Sequence, residues 1–114
     1  ERAPGPLEGR DVADAAAEGD AVAAAIIDRA RAAFAAFVVS LVDVFAPERI
    51  VVGGGVAIAD GERLLGAARA AVRAHGFRIP SARVEIVPAE LGADVGLIGA
   101  VALLDLEQDP VEAG

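Results

Sequence analysis

Ile50-Val51-Val52-Gly53-Gly54-Gly55-Val56-Ala57 decides how the rest of this 114-residue chain is read. A β-branched run breaks into three consecutive glycines, and a helical pattern follows shortly after. Ile50 to Val52 suits a short buried strand, because branched side chains fit a covered, pleated surface. The glycines cannot be there to stabilise that strand, since each forfeits backbone entropy on folding. They permit backbone free of Cβ atoms, positive φ and exposed N–H groups. Two uses fit: a tight strand-to-helix turn where two elements pack closely, or a turn on which a nucleotide-type ligand lies. The turn by itself leaves both open.

Upstream of it, Asp20 caps a long helix that reaches about Ala46, before Pro47. Val22, Ile26, Ala30, Phe34, Phe37, Leu41 and Phe45 recur along it at three- and four-residue steps, with Ile27, Val38 and Val42 widening the stripe. Nothing polar lies between Ala32 and Val39, which predicts cover on more than one side; Asp28, Arg29 and Arg31 mark the wet face. Before this helix, Asp11 to Glu18 reads as two helical turns capped by Asp11 and ended by Gly19, and residues 1–10 as a linker.

Downstream, Asp60 is the expected cap of a helix running to about His75 and stopped by Gly76. Leu64, Leu65, Ala68, Val72 and His75 form its inner face. Arg83 to Val87 reads as a second strand closed by Pro88. Gly92 and Asp94 lead into a last helix from Val95, on which Gly96, Gly99, Ala100 and Leu103 share a face. Two glycines on one helical face predict close approach by another backbone or a ligand, because each costs about 1 kcal/mol relative to alanine. Residues 105–114 form an acidic tail.

Helices alternating with strands give an α/β class, with parallel strands flanked by helices. Two short strands do not make a stable sheet alone. Further strands are therefore expected from a longer protein or a second copy, and the chain reads as a piece, with a homo-oligomer expected.

Composition narrows the chemistry. Over half the residues are hydrophobic, but they are mostly small, with four Phe and no Trp, Tyr or Met. The net charge of −8 sits at the ends: residues 1–20 hold six acids against two arginines, and residues 105–114 hold four acids. With no basic stripe, direct nucleic-acid binding by this segment is not expected. The chain has no cysteine and one histidine, so it carries no zinc cluster of its own and no His-based triad. No apolar run approaches a membrane span, no signal peptide is visible, and a cytoplasmic setting is expected. Of the remaining polar residues, His75 suits a helix C-terminus and Asp94 a helix N-cap. Asp43 suits a structural hydrogen bond or a ligand contact, Glu90 a solvated loop, and Ser40 a bond back to a carbonyl one turn earlier.

Two blocks carry a resemblance. Val42-Asp43-Val44-Phe45-Ala46-Pro47-Glu48-Arg49-Ile50-Val51-Val52-Gly53-Gly54-Gly55-Val56 and Val84-Glu85-Ile86-Val87-Pro88-Ala89-Glu90-Leu91-Gly92-Ala93-Asp94-Val95-Gly96-Leu97-Ile98-Gly99-Ala100 resemble the C-terminal portion of the ROK family, which groups bacterial sugar kinases with sugar-responsive repressors. The resemblance implies that residues 11–104 are the C-terminal part of a ribonuclease-H-like lobe of the actin-like ATPase fold. It places Gly53, Gly54 and Gly55 in the adenosine element of the nucleotide cleft. It also implies ATP with Mg and a hexose as ligands of a longer, glucokinase-like parent. The family's Asp-Gly-Gly-Thr phosphate turn, catalytic aspartate, second phosphate turn and His-plus-three-Cys zinc cluster are not in this chain. The segment alone is therefore expected to be inactive. A kinase parent leads; a sugar-sensing repressor lobe is the alternative, because both would share these residues.

Overall fold

The computed structural model of the chain describes residues 5–108. Helix α1 spans Gly9–Ala17 and α2 Ala21–Phe45, followed by strand β1, Arg49–Val52. Two helices, α3 (Gly55–Asp60) and α4 (Glu62–His75), come next, then α5 (Arg78–Arg83) and strand β2 (Glu85–Pro88). A single 3-10 turn, Gly92–Asp94, leads into α6, Val95–Gln108. The architecture is helix-rich α/β: two short parallel strands flanked by helices, as the alternation predicts.

Asp20 caps α2 by accepting the amides of Val22 and Ala23, both at 2.9 Å. At the other end Pro47 disfavours a right-handed helical conformation at Ala46, which takes the left-handed one (φ 46) while its amide still reaches Val42 O. The buried stripe is narrower than the one expected and centres on the residues that widen it, Val38 and Val42. Ala35, Val38 and Val42 face the core, whereas Val22, Ile26, Phe37 and Phe45 are exposed. The apolar section 32–39 is thus covered on one side only, by α4 and the sheet. Ser40 Oγ donates to Ala36 O, as its position suggested.

The core joins Val38 and Val42 of α2, Leu65, Ala68 and Val72 of α4, and Ile86 of β2, with Phe34, Val39, Ile50, Val52 and Val84 packed against it. Leu64 is also buried, as expected, but His75 is exposed beyond the end of that face. Strand pairing is parallel, with Ile50 opposite Ile86 and Arg49 opposite Glu85. Successive side chains alternate faces, so Ile50 and Ile86 point at the helices while the Arg49–Glu85 ion pair (2.8 Å) lies on the other face.

Four boundaries depart from expectation. α1 starts at Gly9, inside the stretch read as linker, with Glu8 as N-cap; Asp11 sits at the third helical position and accepts the Glu8 amide at 2.9 Å. Asp60 caps nothing: it ends α3, a helix the sequence did not show, and Gly61 precedes α4. The first part of the expected second strand is consumed by α5, so Arg83 is helical and β2 begins at Glu85. Finally, α6 extends to Gln108, into the segment read as tail, while residues 109–114 lie outside the described part. Gly96 and Gly99 meet no neighbouring atoms, so among the described residues no backbone approaches that face.

Candidate functional site

The three glycines do three different things. Gly53 continues β1 beside the segment leaving β2, where the Ala89 amide donates to Val52 O at 2.9 Å. A Cβ on Gly53 would stand 3.2 Å from that of Ala89, tighter than ordinary side-chain contact. Gly54 turns the chain at φ 96, a conformation that L side chains resist, and is the N-cap of α3. Gly55 is the first residue of α3, and a Cβ added to Gly54 or Gly55 would meet nothing within 4 Å. Close packing therefore explains Gly53, and backbone conformation explains Gly54. For Gly55 the fold sets no requirement.

At the far end of the helix that this turn opens, the structure assembles a different set of polar residues from the one the sequence points to. Arg31 of α2 donates from Nε and Nη2 to the two carboxylate oxygens of Asp60 at the end of α3, at 2.6 and 2.5 Å. Its Nη1 also reaches Asp28 at 2.9 Å. The Arg31 and Asp60 side chains are 22% and 17% exposed, so water competes little for this fork. Hydrogen bonding to Arg31 holds the Asp60 carboxyl below its ordinary range, and the same contact raises the Arg31 guanidinium further. The sequence pattern puts Arg31 on the wet face. Its true position is on the buried seam Arg31–Ala35–Val38–Val42, spaced four, three and four residues apart. A charged residue in register with that seam is the signal that a partner must lie opposite.

Asp43 accepts the Phe77 amide at 2.7 Å and so fixes the start of α5, which is the structural of its two readings. Glu90 and Asp94 are exposed. A groove of about 350 Å³ runs along β2, lined by Arg69, Arg73, Ser81 and Glu85 among others; none of the three glycines lines it. No group of His, Cys, Asp and Glu among the described residues is placed to hold a metal ion. No helix among them is long and apolar enough to cross a membrane.

A parallel strand running into a glycine turn and a helix, with a second strand–turn–helix beside it, places the chain in the α/β class, and sequence comparison gives the family. The ROK family pattern matches residues 1–107, and the chain belongs to the ROK family. It is 43% identical over 96 residues to the bifunctional enzyme NanE/NanK of Brucella melitensis, an alignment that covers 84% of this chain and 18% of that protein. It is 34% identical over 103 residues to the glucokinase of Thermotoga maritima, covering 89% of this chain and 32% of that protein. Over 110 residues it is 32% identical to the glucokinase of Halalkalibacterium halodurans, covering 96% of this chain and 33% of that protein. The chain thus spans about a fifth to a third of the length of these relatives. Its helix-rich α/β arrangement fits part of an actin-like lobe, as the resemblance implied.

Proposed function

We propose that this chain is the C-terminal part of an ATP-dependent sugar kinase, glucokinase-like in its hexose substrate, whose Gly53, Gly54 and Gly55 form the adenosine side of the nucleotide cleft. The observation that carries the reading is the open space at Gly54 and Gly55 on a turn whose geometry Gly54 alone imposes. The kinase names of relatives matching nearly the whole chain supply the activity. In this reading ATP arrives with Mg, and the backbone of residues 53–55 contributes a surface without side chains against which the nucleoside packs. Phosphoryl transfer needs a positioned base and phosphate clamps, which other parts of the complete protein contribute. The chain alone binds neither sugar nor phosphate productively and turns over nothing.

Gly55 provides the cleanest test. Its φ is not in the left-handed region and its surroundings are open, so Gly55→Ala leaves the fold intact. A nucleoside lying on the turn would meet the added methyl. In the complete protein, ATP affinity of Gly55→Ala should fall about tenfold, or about 1.4 kcal/mol, with sugar affinity and melting temperature unchanged. Calorimetric titration of both ligands measures this. Wild-type ATP affinity in the variant returns the glycines to a packing turn. Gly54→Val should lose ATP affinity and stability together, because its backbone conformation is itself at stake.

A further inference from the structure

Helix α3 is six residues long and stands between two glycines in left-handed conformations, Gly54 (φ 96) and Gly61 (φ 51). Neither end carries a side-chain cap, and Ala57 is its only buried residue; Val56 and Ile58 are exposed. A helix this short is not self-supporting, since nucleation costs more than one turn of hydrogen bonds returns. Beyond the packing of Ala57, what holds it is Asp60, whose two carboxylate oxygens are both taken by Arg31 of α2, a 25-residue helix anchored in the core. Asp28, one turn before Arg31, holds the third guanidinium nitrogen and fixes the direction of the fork.

We infer that Arg31 and Asp60 are a positioning pair: by clasping the far end of α3 to α2 they set the place of the glycine turn at its near end. The inference rests on the nucleotide reading of that turn, and neither residue is assigned a contact with the nucleotide. The pair suits this task because a bidentate fork restrains both distance and orientation, which a single contact does not. The flanking glycines make the restraint necessary, because on both sides the backbone is free to pivot.

Local hydrogen exchange and ligand titration on the complete protein test the clasp. In Arg31→Ala and Asp60→Asn, exchange should accelerate at least tenfold at Ile58 and Gly61, whose amides close α3 onto Gly54 O and Ala57 O. It should not change at Val38, Ala68 or Val72 in the core. ATP affinity should fall about tenfold with sugar affinity unchanged. Arg31→Lys, which keeps the charge and loses the fork, should recover part of both effects. Unchanged exchange in α3 overturns the clasp. Acceleration spread equally over the core shows a general stabiliser, and also overturns it. Faster exchange in α3 with unaltered ATP affinity overturns the link from clasp to turn while leaving the nucleotide reading intact. A wild type without ATP affinity removes the nucleotide reading, and this inference with it.

Discussion

The guanidinium of Arg69 grips the backbone of Ile86, donating from Nε at 3.0 Å and from Nη2 at 2.7 Å to the same carbonyl oxygen. The amides of Glu85 and Ala89 point at β1, where they donate to Glu48 O and Val52 O. In a parallel strand the backbone groups of alternate residues point to opposite sides, so those of Ile86 face the outer edge of the sheet. An open edge is a template for another chain. Here one side chain of α4, steadied by Glu62 at 2.6 Å, occupies that edge from within the chain. Arg69→Ala should cost about 1–3 kcal/mol, the cost of an acceptor left without its charged donor. Denaturant unfolding measures that loss. Light scattering should show association rising with concentration, and Arg69→Lys, with one donor group in place of a fork, should fall between.

Asp43 ties the end of α2 to the start of α5 through the Phe77 amide. Asp43→Ala should destabilise by about 0.5–2 kcal/mol, the range for losing a capping acceptor. Asp43→Asn keeps an oxygen at the same place and should be close to wild type. Thermal unfolding of the two variants separates a hydrogen-bonding role from one that needs the charge.

Asp60 makes stability depend on pH with a definite sign. Its carboxyl is held below the ordinary 3.8 by the hydrogen bond to Arg31. The folded state therefore binds its proton less readily than the unfolded state does. Its contribution is complete above the unfolded value and is lost as pH falls through the folded one. The stability difference between wild type and Asp60→Asn should be constant from neutral pH down to about 5, and shrink below about 4. Urea titrations at a series of pH values measure it. A difference that grows on acidification would assign the wrong sign to the pair.

Much of the fold was legible because local rules and the tertiary outcome agree. Asp20 precedes an uninterrupted helical pattern and accepts two amides. Leu64, Leu65, Ala68 and Val72 share one helical face, and all four are buried. The strands stand where β-branched residues cluster. In α2 the rules did not decide, because this helix is apolar over most of its circumference. The expected stripe holds both Phe37 and Val38, and only the position of α4 and the sheet buries Val38 and leaves Phe37 exposed. The charge of Arg31 fits a wet face as well as a paired seam, so its partner shows only once α3 is in place.

The sequence by itself determined the class: strands from branched residues, helix limits from Asp20, Pro47 and Gly76, and a turn from glycines that no other residue could replace at Gly54. These are local matters, settled by a few neighbouring side chains and by which backbone conformations each residue tolerates. Tertiary structure alone decided which face of α2 is buried, that Arg31 and Asp60 meet across 29 positions, and that Arg69 takes the Ile86 carbonyl at the outer edge of β2. Each depends on where a second element comes to lie. That is set by the summed burial of the core, to which no single residue's spacing gives access.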